Sequence, residues 1–155
     1  MCSGLYACVQ GDEMYTFHRG RRDPMYTDYA LYSPAVPVFR TDDGALLDQP
    51  YTCAMITAPA VNAGVASARG ATAAEIEVTM VRRIAKVLAI AAHYGHEDIV
   101  LGAWGCGVFR NDPEMISRLF AEALRGSFAG VFRHVYFAVL SRDGRIVEPF
   151  QRHFA

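Results

Sequence analysis

The chain has 155 residues and a mass of 17.1 kDa, and we predict one domain spanning residues 1–155. Hydrophobic residues make up 52% of the sequence and charged residues 20%, so the chain can form an apolar core and is not mainly disordered. The formal net charge of −1 at pH 7 excludes a protein that coats polyanions through excess basic side chains, although one loop can still bind a nucleotide-sized anion.

The N-terminal sequence and the cysteines indicate the compartment. The chain has no basic, apolar N-terminal segment typical of a secretion signal, and no run of about 18 apolar residues that could span a membrane. Its cysteines have no CxxC spacing, which makes a zinc site improbable and fits a reducing compartment. They are Cys2, Cys8, Cys53 and Cys106. We expect a cytoplasmic protein with no metal site and no cofactor.

The N-terminal elements are short. Residues 3–10 predict a helix capped by Ser3, because apolar residues recur at helical spacing after a side chain that can accept a main-chain hydrogen bond. Residues 11–24 are polar and rich in arginine, which predicts an exposed loop.

Strand-forming residues follow this loop. Residues 28–32 and 36–40 predict two short strands separated by Ser33-Pro34, and residues 41–44 predict a turn. Residues 51–58 form a continuous apolar run, which predicts a strand buried on both faces, as in a parallel sheet.

Two helices have clear signals at their ends. Residues 75–94 carry an apolar stripe at helical spacing, and Gly95 lies where a left-handed C-terminal cap is common. Asp112 predicts the N-cap of a second helix, with Pro113 at its first position and Gly126 just beyond its end.

Residues 99–104 and 134–140 predict two more buried strands. Strands therefore alternate with helices along the second half of the chain. This alternation is typical of an α/β sandwich with a largely parallel sheet.

The segment with the clearest chemical signal is Leu101–Pro113, which runs from a predicted strand through Gly105 and Gly107 to a capped helix. Glycines permit left-handed backbone and let a ligand approach main-chain N–H groups, which can form an anion-binding nest. The loop also lies at the carboxyl end of a strand and at the positive end of a helix dipole. It lacks the GK[ST] ending of a Walker loop and the third glycine of a dinucleotide loop.

Several interpretations of this region remain open. Cys106 could act as a nucleophile on the tight turn, or the glycines could simply permit a sharp change of chain direction. Phe109 could pack on a sugar or a base, or onto the following helix at Ile116 or Phe120. Asn62, which follows another predicted strand, could line the same cleft or be a turn residue.

Four segments together resemble the microbial-type poly(ADP-ribose) glycohydrolases of the macrodomain superfamily. The resemblance covers essentially the whole chain, in the order found in that family. The segments are SGLYAC, RRDPMYTDYALYSPAVPVFR, YTCAMITAPAVNAG and LGAWGCGVFRNDP. The resemblance implies a three-layer α/β/α macrodomain-like sandwich with a mixed, largely parallel sheet, and ADP-ribose or poly(ADP-ribose) as ligand.

The resemblance also assigns site residues. The diphosphate-binding loop corresponds to Gly105, Cys106, Gly107, Val108 and Phe109, and Phe109 matches the aromatic residue that packs against the distal ribose. The further candidates for the cleft are Asn62, Ala103, Trp104 and Asn111.

The catalytic segment of the family has no counterpart in this sequence. Members of the family carry a strand, a triple-glycine loop and a Gln-Glu-Glu sequence upstream of the SGLYAC helix, and the second glutamate acts as general acid and base. Neither GGG nor QEE occurs here. The glutamates in other contexts, to which we assign no catalytic role, are Glu13, Glu75, Glu77 and Glu114. We therefore expect the C-terminal portion of the fold, without its N-terminal strand or strands and without catalytic residues.

These observations lead to alternative expectations for function. The chain would hydrolyse ribose–ribose O-glycosidic bonds in poly(ADP-ribose) if the catalytic segment is supplied, or it is a non-catalytic ADP-ribose reader or degenerate family member. An ADP-ribosylated protein is the expected partner, and neither a membrane nor a specific nucleic-acid sequence is. An open sheet edge would favour self-association or a second chain that covers it.

Overall fold

The computed structural model describes residues 2–154, which form a mixed α/β fold. The described elements, in chain order, are α1 (Leu5–Val9), α2 (Glu13–Arg21), β1 (Leu31–Arg40), β2 (Leu46–Thr57), α3 (Ala63–Ala68), α4 (Ala73–His93), β3 (Asp98–Leu101), α5 (Pro113–Arg125), β4 (His134–Phe137) and α6 (Val147–Phe154). The chain divides into two compact units. The first contains the residues up to Arg21 and Tyr29–Ala58, and the second contains Arg22–Asp28 and the residues from Pro59 onward.

In the first unit, β1 and β2 form an antiparallel hairpin around the predicted turn. Gly44 has a φ of +95°, and its N–H group donates to the main-chain oxygen of Thr41 at 3.0 Å, an ordinary hydrogen-bond length. The two strands predicted for residues 28–40 are a single strand, β1, whose register shifts between Ser33 and Val36. The prolines of this strand explain the irregularity, because proline has no N–H group to donate across the ladder.

The prediction of a strand buried on both faces at residues 51–58 was wrong. This run lies in β2, which pairs antiparallel with β1 and has no buried residue. A continuous apolar run is compatible with burial but does not determine what covers the strand.

The predicted loop over residues 11–24 was also wrong in part, because it contains helix α2. Asp12 caps this helix, since its Oδ1 accepts a hydrogen bond from the Met14 N–H group at 2.8 Å. Met14 is the only buried residue of α2. The predicted Ser3 cap of α1 is replaced by Gly4 at the N-cap position, and the Ser3 hydroxyl accepts instead from Leu5 N at 3.4 Å.

The helix signals of the second unit are confirmed. Helix α4 begins with a capping box in which Thr72 and Glu75 each bond the other's main chain, and Gly95 beyond its end has a φ of +73°. Helix α5 begins after Asp112, whose Oδ1 accepts from Glu114 N at 3.1 Å, and ends at Arg125 as predicted. Helices α3 and α6 were missed, although Asn62 occupies the N-cap position of α3.

The parallel pair β3–β4 occupies the second unit. Each strand is shorter than predicted, and Val100 faces Tyr136 in the register. Ile99 and Phe137 lie on the opposite face and pack against the buried core, which α4 and α5 supply in large part. The sheet therefore separates a packed face from an exposed one, because strand side chains alternate.

Candidate functional site

The glycine-rich loop lies between the end of β3 and the start of α5. Its turns are closed by hydrogen bonds between main-chain groups within the loop. They are Cys106 N to Ala103 O at 3.0 Å, Arg110 N to Gly107 O at 3.0 Å and Asn111 N to Gly105 O at 3.1 Å. The loop therefore has a fixed backbone that does not depend on a ligand.

The buried side chain of Asn111 fixes this loop. Its Nδ2 donates to the Val61 oxygen at 2.7 Å and to the Gly105 oxygen at 3.2 Å. This orientation of the amide is required, because the opposite one would place Oδ1 against both carbonyl oxygens. Oδ1 has no hydrogen-bond partner among residues 2–154.

Gly105 cannot be replaced without disturbing the same contact. Its φ is +77°, and an ideal Cβ on it would lie 2.4 Å from Asn111 Nδ2 and 2.7 Å from the Ala60 Cβ. Backbone geometry and close packing thus both require glycine here.

The loop also contains main-chain donors that no protein group uses. Within the described part of the chain, the N–H groups of Gly107, Val108 and Phe109 have no acceptor. The Val108 side chain is 92% exposed, and a Cβ on Gly107 would meet no atom within 4 Å. Neither packing nor a positive φ requires glycine at position 107. Because Gly107 has no side chain, a ligand can approach the neighbouring main-chain N–H groups.

The segment before α3 contacts this loop from the side. Gly64 N donates to the Phe109 oxygen at 3.0 Å. The Asn62 side chain caps α3, since its Oδ1 accepts from Val65 N at 3.3 Å. Of the two interpretations of Asn62, the turn and cap interpretation therefore describes what its side chain contacts.

The ring of Phe109 stacks on that of Tyr26, with centroids 5.9 Å apart and planes inclined by 24°. Phe109 also packs against the buried cluster that contains Ile116 and Phe120. Tyr26 was missed because it falls between the predicted loop over residues 11–24 and the strand predicted from residue 28, where no local pattern indicates its partner. The Asp23-Pro24 pair was the available signal, since it indicates a turn.

A buried arginine fixes the segment that carries Tyr26. Arg83 of α4 is 3% exposed, and its Nη2 donates to Met25 O at 2.6 Å, its Nη1 to Pro59 O at 3.3 Å and its Nε to Asp28 Oδ1 at 3.0 Å. Arg82 also bonds the Asp28 carboxylate. The hydrogen bond from Arg82, aided by that from Arg83, lowers the pKa of Asp28 against the opposing effect of burial.

Known proteins resemble the chain over most or all of its length. A family model described as the catalytic domain of microbial-type PARG matches residues 1–41. The poly(ADP-ribose) glycohydrolase from Thermomonospora curvata bound to the inhibitor ADP-HPD is 47% identical, with a TM-score of 0.93 over 99% of this chain. The poly(ADP-ribose) glycohydrolase from Deinococcus radiodurans in complex with ADP-ribose is 42% identical, with a TM-score of 0.90 over 97% of this chain.

The chain is similar in sequence and structure to the microbial-type poly(ADP-ribose) glycohydrolases. It spans 59% of the length of the Thermomonospora protein and 63% of that of the Deinococcus protein. The comparison with curated proteins found no match.

Cys106 of this glycohydrolase-like chain is a buried, protonated thiol. Burial raises its pKa to about 12, and the negative charge of Asp112 contributes to the rise. Because the thiolate is the nucleophile, this environment argues against the interpretation of Cys106 as a reactive group. Ala103 and Trp104, which precede it, are half-buried and pack against the core.

Most of the glutamates considered above have structural partners. Glu75 belongs to the capping box of α4, and Glu77 pairs with Arg118 at 2.7 Å. Glu114 pairs with Arg152 and His153 of α6. Glu13 lies in the exposed first turn of α2, where a carboxylate complements the helix dipole. Residues 2–154 contain no group of three or more side chains placed to hold a metal ion.

Proposed function

We propose that this chain binds ADP-ribose, free or as a unit of poly(ADP-ribose), with the diphosphate on the loop formed by Gly105, Cys106, Gly107, Val108 and Phe109. The observation that carries this proposal is the run of free N–H groups at residues 107–109. A hydrogen bond to a charged group contributes about 1.5–3 kcal/mol. Three such bonds, with a sugar or base packed on Phe109, approach the roughly 8 kcal/mol of a micromolar site.

The solved relatives support the same ligand. The Deinococcus protein was crystallised with ADP-ribose and the Thermomonospora protein with ADP-HPD. The proposed cleft is completed by four further residues, Asn62, Ala103, Trp104 and Asn111. Asn111 and Asn62 contribute through the backbone that they fix, because their side chains bond main-chain groups.

Hydrolysis of ribose–ribose bonds is the proposed activity when a catalytic segment is supplied. Cleavage through an oxocarbenium-like state requires an acid that protonates the leaving oxygen. Glu75, Glu77 and Glu114 are held in caps or ion pairs, which favours a second candidate function for the 155-residue chain. In this alternative the chain is an ADP-ribose reader or a degenerate family member that binds without cleaving.

Calorimetry with ADP-ribose tests the proposed binding site. We expect the wild-type chain to bind and the Gly107→Leu variant to bind at least tenfold more weakly, because the new side chain covers the free N–H groups. Gly20→Leu is the matched control, since Gly20 also has open space around its Cβ position and lies on α2. A wild-type chain that does not bind, or a Gly107→Leu variant with unchanged affinity, contradicts the proposal.

Release of ADP-ribose from poly(ADP-ribose) separates the enzyme from the reader. Binding without release by the chain alone supports the reader, or an enzyme that needs its catalytic segment from elsewhere. Release that appears only after addition of a peptide or chain containing the triple-glycine and Gln-Glu-Glu sequence supports the second of these.

We also propose that residues 1–155 belong to one macrodomain-like domain with a three-layer α/β/α sandwich and a largely parallel sheet. The support is that the solved relatives match 97–99% of the chain. Val100 and Tyr136, register partners on one face of β3–β4, are 69% and 57% exposed. Strands β3 and β4 pair only with each other among residues 2–154, so we propose that a second copy or a second chain covers an open edge of this sheet, beside the exposed face.

Light scattering tests this part of the proposal. Self-association that is lost in Tyr136→Arg supports a second copy on the exposed face. The proposal is contradicted if the chain stays monomeric and also does not bind an added peptide that corresponds to the N-terminal segment of the related glycohydrolases.

The proposed location is the cytoplasm, and the proposed partner is an ADP-ribosylated protein. The four cysteines are all free thiols, as expected in a reducing compartment. None of the helices in residues 2–154 has the length and apolar character needed to cross a membrane.

A further inference from the structure

The stacked pair of Tyr26 and Phe109 carries an inference about selectivity. Phe109 is the last residue of the free N–H run, so its ring stands beside the place where the phosphates are proposed to bind. The ring of Tyr26 backs it at 5.9 Å and 24°. An aromatic ring fixed beside a diphosphate is suited to pack against a sugar attached to that diphosphate.

The backbone of Tyr26 is strained. Its φ is +53°, a left-handed value that is unusual for residues other than glycine, and especially for a bulky one. Such a conformation persists where the surrounding contacts determine it, and these residues concentrate at ligand sites. Local hydrogen bonds hold the turn, from Tyr26 N to Asp23 O at 3.1 Å and from Met25 N to Asp23 Oδ1 at 2.9 Å.

Distant residues fix the same turn from outside. Asn62 N donates to Pro24 O at 2.8 Å, and Arg83 Nη2 donates to Met25 O at 2.6 Å. The carbonyl groups of the two residues that precede Tyr26 are therefore both held by other segments of the second unit. Lys86 Nζ donates to Asp28 O at 2.5 Å and fixes the end of the segment.

The backbone of Phe109 is held in a similar way. Its carbonyl oxygen accepts from Gly64 N at 3.0 Å, and the next residue, Arg110, has a φ of +58°. Two rings on two fixed backbones thus face each other, and removal of one leaves the other free to change rotamer.

We propose that Tyr26 is a positioning residue that holds the Phe109 ring against a sugar of the ligand, so that the site binds ADP-ribose more tightly than a bare diphosphate. This inference rests on the proposed function and deepens it. Tyr26 acts before binding, because a ring already fixed in its bound position loses little conformational freedom when the ligand arrives. Aromatic pairs of this kind account for an effect of about twofold to tenfold in affinity.

The test compares ADP-ribose, ADP and inorganic pyrophosphate by calorimetry on the 155-residue chain. In Tyr26→Asn we expect affinity for ADP-ribose to fall about fivefold and affinity for pyrophosphate to change less than twofold. Asparagine tolerates a positive φ, so this variant removes the ring without adding backbone strain. Tyr26→Phe, the matched control, should retain wild-type selectivity because it keeps the stacked ring.

Each outcome distinguishes this inference from the proposed function. If Tyr26→Asn loses affinity for ADP-ribose alone, the sugar that packs on Phe109 is the terminal ribose. If it loses affinity equally for ADP, that sugar is the ribose of the adenosine. Both outcomes support the positioning role. Equal losses for all three ligands, or no loss, overturn it and leave the proposed function standing. A wild-type chain that binds none of the three overturns both.

Circular dichroism checks that the variants fold. If Tyr26→Asn is unfolded, Tyr26→Leu provides the second variant, because it keeps an apolar side chain without a flat ring. The same selectivity loss is expected for it, and wild-type selectivity in Tyr26→Leu overturns the positioning role of the aromatic ring.

Discussion

Asn111 donates a hydrogen bond of 2.7 Å from its side-chain Nδ2 to the main-chain oxygen of Val61, a residue fifty positions earlier in the chain. The same Nδ2 bonds Gly105 O, so one buried amide joins the start of the glycine loop to the segment before α3. The loop depends on this amide because its free N–H groups keep their positions only while its two ends are held.

Replacement of Asn111 should damage both stability and binding. Asn111→Ala leaves the Val61 oxygen without its donor in a buried site, whereas Gly105 O keeps the main-chain N–H of residue 111, and we expect a loss of about 1–3 kcal/mol in the free energy of unfolding. Affinity for ADP-ribose should also fall, measured where both proteins are folded. Asn62→Ala, which removes a helix cap, is the comparison for stability alone and should cost about 1 kcal/mol. Equal stability of Asn111→Ala and wild type in urea would show that the hydrogen bonds of the Asn111 side chain do not stabilise the fold.

The two loop glycines should respond differently to alanine. Gly105→Ala places a Cβ 2.4 Å from Asn111 Nδ2 at a φ of +77°, and we expect a loss of about 2 kcal/mol or more in the free energy of unfolding. Gly107→Ala meets open space and should change stability by about 0.5 kcal/mol or less. Urea denaturation of both variants measures the difference, and similar losses would contradict this account of the loop.

Cys106 should resist alkylation in the folded protein. Its thiol is buried, and its pKa of about 12 leaves almost no thiolate at pH 7.5. Cys8, which is exposed, serves as the internal control and should react with iodoacetamide in the native state. Mass spectrometry of peptides, with and without urea, locates the modified residues. Rapid labelling of native Cys106 would restore the nucleophile interpretation.

Stability should fall in acid through Asp28. Hydrogen bonds from Arg82 and Arg83 hold the pKa of Asp28 below its ordinary value of 3.8, so this carboxylate stabilises the folded state above pH 4. The contribution is lost as the pH falls through the lower pKa of the folded state, because the unfolded chain then binds the proton more readily. Asp28→Asn should therefore be less stable than wild type at pH 7, by about 1–3 kcal/mol, and the difference should shrink below pH 4.

Urea denaturation at pH 7, 4 and 3 measures this difference. Asp42→Asn, in the exposed turn between β1 and β2, is the control and should follow wild type at each pH. A stability difference for Asp28→Asn that stays constant over this range would show that the carboxylate charge does not contribute.

The sequence predicted those elements whose signals are local. Helix α5 has its cap, its first-turn proline and its terminal glycine within the element, and its predicted bounds are confirmed. The glycine loop is recognisable for the same reason. Helix α2 was missed because its polar composition hides a helix that buries only Met14.

The missed part of the candidate site depends on contacts between distant residues. Tyr26 obtains its position from Arg83 and Asn62, and neither contact leaves a pattern in the neighbourhood of Tyr26. The burial of β2 could not be predicted either, because an apolar run does not specify whether its strand pairs with a hairpin partner or lies inside a parallel sheet. Local sequence patterns thus predict the glycine-rich loop, whereas the position of the Tyr26 ring beside it is visible only in the folded chain.

The seven residues Arg22–Asp28 belong to the second unit, although the residues on both sides of them belong to the first. A gene trimmed to begin at Pro59 would keep the glycine-rich loop and lose the Tyr26 ring, together with the carboxylate that neutralises Arg83. Dissection of this protein for crystallography or binding assays therefore has to carry residues 22–28 along, by circular permutation or as an added peptide.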